Sequence, residues 1–298
     1  MPRRPAGVFG PVVSTFDDRT GELDLDAFAF NIRAHLAVGL SGVVVAGSTG
    51  EAALLDEEER LRLVETAREL VPASDMLIVG TGAESTRQCV RRSRDAAARG
   101  ADMVLVVAPH YYGSSMMPAA LEAHYRRVAD ESPCPVLLYN IPKYAHFTLE
   151  PELIAALSTH GNIAGMKDSA GDLGKLEGYL LSQGERFTVL TGHAGTFLQA
   201  LERGVHGGIL AAALFAPEPS LDVWRRRNGT AAAKVAQDVL APLGLEIVAR
   251  MGVAGVKAAM DAVGLRGGAV RSPLQPLPAA DRSQVQALLR RAGVAVGR

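Results

Sequence analysis

Eight short apolar runs, each followed by a helix-period segment, constrain this chain more than any other feature. They are "VFGPVVSTF" (8–16), "GVVVAG" (42–47), "MLIVGTG" (76–82), "MVLVVAP" (103–109), "PVLLYNI" (135–141), "IAGMKDS" (163–169), "FTVLTG" (187–192) and "GGILAAA" (207–213). Most lack alternation between apolar and polar positions, as expected of parallel strands covered on both faces. The intervening segments carry helix signals. Asp56 with Glu59 makes an Asp-x-x-Glu start ahead of Leu61, Val64, Ala67 and Val71. Ser85 with Gln88 reads as a capping-box pair, and Leu121, Tyr125 and Val128 form a further stripe. Strand–helix alternation repeated eight times predicts an α/β fold, a (β/α)8 TIM barrel. A doubly wound open sheet is the alternative, but no G-x-G-x-x-G follows the first run. The strand signal stops near residue 214. Residues 1–214 are therefore read as the barrel and 215–298 as a C-terminal helical appendage, with "RSPLQPLP" (271–278) separating a last short helix.

Composition narrows the function classes. A net charge of −1 gives no electrostatic footprint for nucleic acid or an anionic membrane. The clusters "RRSR" (91–94) and "RRR" (225–227) fall in helix-like segments and read as solvated faces. The two cysteines, Cys89 and Cys134, are too few for a disulfide framework and have no metal-ligand spacing. No secretory signal and no run long enough to span a membrane is evident, so the expected location is cytoplasmic.

In a barrel of this type the carboxyl ends of the strands line the site. Those ends supply Ser14 and Thr15, "GSTGE" (47–51), "PHYY" (109–112), "YNIP" (139–142), Lys167 and "GHAG" (192–195), where Gly192 lets backbone approach a ligand. They hold no pair of carboxylates, and the seven histidines show neither H-x-H nor H-E-x-x-H spacing, so no metal is expected. Lys167 stands out because lysine is scarce: Lys143, Lys167, Lys175, Lys234 and Lys257 are the only five among 31 basic residues. Arginine stays protonated in proteins, whereas a desolvated lysine can be neutral, and only the neutral amine attacks a carbonyl. A lysine snorkelling from a strand end is the bland alternative. Among hydroxyls and phenols, Lys167 suggests imine chemistry, with Tyr139 passing protons and Ser48 or Thr49 completing a relay.

"GSTGE", "YNIP" and "GMKDSAGD", in this order, resemble the dihydrodipicolinate synthase / N-acetylneuraminate lyase superfamily of pyruvate-dependent class I aldolases. The similarity runs from about residue 7 to 298. It implies that Lys167 forms a Schiff base with a 2-oxo acid, that no separate cofactor is needed, and that Tyr139 relays protons. It further implies that Ser48 and Thr49 bind the substrate carboxylate, that Ile209 offers a backbone carbonyl, and that Tyr111 crosses a subunit interface in a homodimer or homotetramer. Dihydrodipicolinate synthases carry an arginine two residues beyond the proline of "YNIP"; here that position is Tyr144, beside Lys143 and near His146. "GTGAEST", "SPCPVLLYNIP", "GMKDSAGD" and "VLTGHAGTFLQAL" look most like 4-hydroxy-2-oxoglutarate aldolases, although "YNIPKYAHF" deviates from that branch. The expected partners are a 2-oxo acid and an aldehyde. The alternatives are a synthase condensing pyruvate with an amino-aldehyde and a catalytically silent ligand sensor.

Overall fold

The computed structural model describes residues 3–297. Eight parallel strands close into a barrel in chain order. They are β1 (Gly7–Pro11), β2 (Gly42–Val45), β3 (Met76–Gly80), β4 (Met103–Val107), β5 (Val136–Asn140), β6 (Ile163–Asp168), β7 (Thr188–Thr191) and β8 (Gly207–Ile209). Pairing of β1 with both β2 and β8 closes the ring. The expected TIM barrel is present, but its first strand is shorter than the apolar run that announced it. After Pro11 the chain leaves the sheet, with Val12, Val13 and Phe16 still buried. Burial, not strand structure, explains the rest of that run.

Helices follow the strands on the outside. α1 (Leu25–Ala37), α2 (Glu57–Leu70), α3 (Thr86–Ala98) and α4 (Pro118–Glu131) succeed β1 to β4. The short α5 (Pro142–Ala145) precedes α6 (Pro151–Ser158), and α7 (Leu173–Leu180), α8 (Phe197–Glu202) and α9 (Pro217–Arg225) complete the ring. Beyond them come α10 (Ala231–Pro242), a π-helical stretch Leu243–Arg250, α11 (Gly252–Ala262) and α12 (Ala279–Arg291). The α2 start holds in full, because Asp56 and Glu59 cap each other's backbone N–H. The α3 start is simpler than a capping box. Ser85 accepts from Gln88 N, but the Gln88 amide reaches across to Glu57 instead of turning back.

Two apolar clusters result. One lies between the sheet and the helices. The other fills the barrel, where Phe9, Val44, Ile78, Leu105, Leu137 and Leu190 pack with Tyr139 and Ile209. Truncating an interior residue such as Leu137, which has no exposed surface, to alanine would cost about 2–5 kcal/mol, because barrel walls pinned by their ladders cannot collapse into the cavity.

Candidate active site

One irregularity decides where Lys167 points. In the β5–β6 ladder Val136 pairs with Ile163, but Leu137 pairs with Gly165, so Ala164 is an extra residue. Val136 and Ile163 face the helices, whereas Leu137 and Tyr139 face the barrel interior. Strict alternation from Ile163 would turn Lys167 outward. The bulge flips the parity, so Lys167 pairs with Tyr139 and shares its inward face. On the other side of β6, Gly165 permits the close approach of β7, since a Cβ there would sit 2.2 Å from the Thr188 carbonyl oxygen.

Lys167 is buried, and its Nζ donates to the Tyr139 hydroxyl at 3.3 Å. The same nitrogen lies 4.4 Å from the Tyr139 ring centroid. Gly192, just past β7, leaves space for this side chain: an added Cβ would lie 2.7 Å from Lys167 Cε and 2.0 Å from Ser169 Oγ. Behind the pair, Asn140 donates to Asp168 at 2.7 Å and accepts from Leu149 N, and the Tyr179 hydroxyl donates to the Leu149 carbonyl. Burial pushes the Asp168 carboxyl above the usual range, and the Asn140 hydrogen bond pulls it back. Because Asn140 and Asp168 are the next residues after Tyr139 and Lys167, this network fixes the two strand ends that carry that amine and phenol.

A second lysine is equally buried, but in a different setting. Lys257 Nζ lies 2.6 Å from Glu51 Oε1, whose negative charge stabilises the ammonium form against the effect of burial. Among the described residues no carboxylate lies within that ion-pairing range of Lys167. Of these two buried amines, only Lys167 has a phenol hydroxyl as its hydrogen-bond partner.

The other expected site residues lie at or just after strand ends on the same side of the barrel. Ser48 and Thr49 are half-buried after β2, in a loop flanked by two non-glycine residues with left-handed backbone, Ala46 at φ 52° and Glu51 at φ 54°. Each such residue costs about 1–2 kcal/mol, so the loop is held by its surroundings. Ile209 has its side chain packed in the barrel interior. Tyr111, after β4, is 77% exposed and packs edge-on against Tyr112. Its N–H and that of His110 both donate to Glu84 Oε2. Glu84 lies in the quoted "GTGAEST" stretch, but nothing in its type or spacing identifies it as the residue that anchors the Tyr111 loop.

Tyr144 is half-exposed on α5, and burial of its hydroxyl raises its pKa above the usual tyrosine value. Lys143 does not project freely into the mouth. Its Nζ donates to the Ala249 carbonyl at 2.7 Å, using an oxygen of the π-helical stretch, and partial burial lowers its pKa. That stretch packs over the loop after β7, where Leu245 meets Gly195 and Gly244 meets Ala194. His193 in this loop pairs with Thr196 at 3.0 Å, and burial favours its neutral form. Direct contact therefore joins Lys167, Tyr139 and Gly192, while the remaining expected residues follow or end strands at the same end of the barrel.

The profile of the dihydrodipicolinate synthetase family matches residues 4–292. The chain belongs to that family. Among curated family relatives, the 4-hydroxy-tetrahydrodipicolinate synthase of Phenylobacterium zucineum is 34% identical over 97% of both chains. That of Stenotrophomonas maltophilia (strain R551-3) is 40% identical over 63% of this chain, and the match spans only 62% of that protein. A protein of Emericella nidulans described as a probable mitochondrial 4-hydroxy-2-oxoglutarate aldolase is 42% identical over 73% of this chain and 72% of its own length. Among solved structures, a prophage protein of the family from E. coli K12, in complex with pyruvate, superposes with a TM-score of 0.91 at 28% identity, covering 97% of this chain and 99% of that one. No helix among the described residues is long and apolar enough to cross a membrane.

Proposed function

We propose that this family member is a class I aldolase that cleaves or forms a C–C bond between pyruvate and an aldehyde through an imine on Lys167. The observation that carries the reading is the Lys167–Tyr139 pair, a buried amine 3.3 Å from a phenol hydroxyl on the inward face of the barrel. In the cleavage direction, neutral Lys167 adds to the C2 carbonyl of a 4-hydroxy-2-oxo acid, and loss of water gives the protonated imine. Breaking the C3–C4 bond sends its electron pair into that imine, leaving an enamine, while the 4-hydroxyl loses its proton and departs as the aldehyde. Tyr139 takes that proton and returns one to C3 of the enamine, and hydrolysis then releases pyruvate and regenerates the amine. Ser48 and Thr49 hold the substrate carboxylate in this scheme, and the narrow space opposite Gly192 keeps Lys167 in place. Tyr111 would complete the relay of a neighbouring subunit, making the active unit a homodimer or a dimer of dimers. No metal or separate cofactor takes part in these steps.

The aldehyde partner is drawn from the 4-hydroxy-2-oxoglutarate aldolase likeness. A synthase condensing pyruvate with an amino-aldehyde is the second reading, supported by the full-length match to the Phenylobacterium enzyme. Against it stand Tyr144 at the position where synthases carry arginine, and the capture of Lys143 by the Ala249 carbonyl. The test is a paired assay. Purified protein should release pyruvate from 4-hydroxy-2-oxoglutarate faster than it consumes pyruvate with an amino-aldehyde. The reverse order would favour the synthase, and no reaction with either would favour a ligand sensor.

A further inference from the structure

The quoted motif "GSTGE" ends in a residue that the aldolase scheme does not use. Glu51 is the last residue of the loop holding Ser48 and Thr49, and its side chain has no exposed surface. Both its oxygens are engaged by the C-terminal helical part of the chain. Oε1 lies 2.6 Å from Lys257 Nζ of α11, and Oε2 accepts from Arg271 N at 2.8 Å. Lys257 also donates to the Ala269 carbonyl and lies over the face of Phe16. Arg271 is itself pinned, its guanidinium gripping both oxygens of Glu59 and the Leu54 carbonyl while lying over the Phe16 ring. At the loop's inner edge the buried Ser14 hydroxyl donates to the Gly50 carbonyl at 2.7 Å. Glu51 meanwhile occupies a left-handed conformation that few non-glycine residues adopt unaided.

We infer that Glu51 is a positioning residue whose carboxylate, clamped between Lys257 Nζ and Arg271 N, sets the loop that presents Ser48 and Thr49 to the carboxylate of the 2-oxo acid. The helices after the barrel thereby become part of the substrate-binding machinery. This rests on the proposed roles of Ser48 and Thr49. A buried ion pair is weak evidence for stability, because replacing both partners with apolar groups of similar volume is often neutral. Geometry is the more demanding use. The left-handed residue at the loop's end would relax if its side chain were released, and a displacement of about 1 Å at a binding group lowers effectiveness about 100-fold.

The test separates positioning from folding. Wild type and Glu51→Gln are titrated with pyruvate, trapped with borohydride and read by intact mass, at a temperature well below both melting transitions. The expected result is a rise of about 10- to 100-fold in the half-saturating pyruvate concentration, with complete labelling at saturation. A purely structural role would lower the fraction of protein that labels and leave half-saturation unchanged, and that outcome overturns the proposal. The double variant Glu51→Gln/Lys257→Met keeps the volumes and removes both charges, so no unpaired ion is left in the core. It should recover the melting temperature while keeping the raised half-saturation; recovery of both would likewise overturn the inference. Failure of the wild type to label at all would instead defeat the pyruvate reading.

Discussion

Substituting Gly192 by alanine is a sharp probe of the site, because the change is one methyl group and the atoms it meets are known. The Gly192 backbone is not left-handed, so alanine fits its conformation, and the effect is steric. The new Cβ would lie 2.7 Å from Lys167 Cε and 2.0 Å from Ser169 Oγ, where ordinary contact begins at 3.4 Å. Ser169 can swing its hydroxyl aside. Lys167 Cε must recede by roughly 0.7 Å, and it carries Nζ with it. The Nζ–Tyr139 hydroxyl distance, already 3.3 Å, has little margin before the hydrogen bond is lost. Overpacking of this kind costs about 1–3 kcal/mol, since Ser169 Cβ, 3.1 Å from the new methyl, must also give way with its backbone. Turnover should fall about 100-fold, the effect of misplacing a reacting group by about 1 Å. The assay is pyruvate release alongside the melting temperature. A variant with wild-type turnover per folded molecule would refute the view that Lys167 is held in a fitted slot.

Tyr139→Phe keeps the ring in the barrel core and removes only the hydroxyl. Its melting temperature should stay near wild type while turnover drops about 10²- to 10⁴-fold, and unchanged turnover would make Tyr139 structural. Tyr111→Phe and Lys167→Ala should each be inactive alone and regain part of the activity when mixed and allowed to exchange subunits; confirmed exchange without recovery would exclude a shared site. Stability should fall as pH drops from about 6.5 toward 4. Burial holds both His35 and His124 down at about 4, so in that window the unfolded chain binds protons that the folded one refuses. Asp168 and Asp261, raised by burial, act in the opposite direction at the acid end, so a melting temperature that is flat or rising across the whole window would contradict the histidine assignment.

The barrel was legible because its strands are buried on both faces and so read as plain apolar runs. Continuous runs do not show where pairing ends, which is why Val12 to Phe16 looked like strand while packing as loop. Residue type and their places at strand ends single out Lys167 and Tyr139 in the sequence. Their facing each other is not legible there, because it depends on the extra residue Ala164 in the β5–β6 ladder, and a bulge between apolar residues leaves no mark in hydropathy. Gly192 could be read only as a place where something comes close. That the approaching group is Lys167 itself required the packed structure. Lys257 lies on α11, away from the strand ends. Its burial against Glu51 joins positions more than two hundred residues apart, and no local pattern encodes such a pairing.

Reductive trapping followed by peptide mapping tests the central claim most directly. Incubation with pyruvate and borohydride should add one three-carbon unit per chain, on the peptide containing Lys167, and Lys167→Ala should abolish it. Lys257 is the informative control, being as buried as Lys167 but paired with a carboxylate. Label on Lys257 or Lys175, or no label on any peptide, would contradict the account.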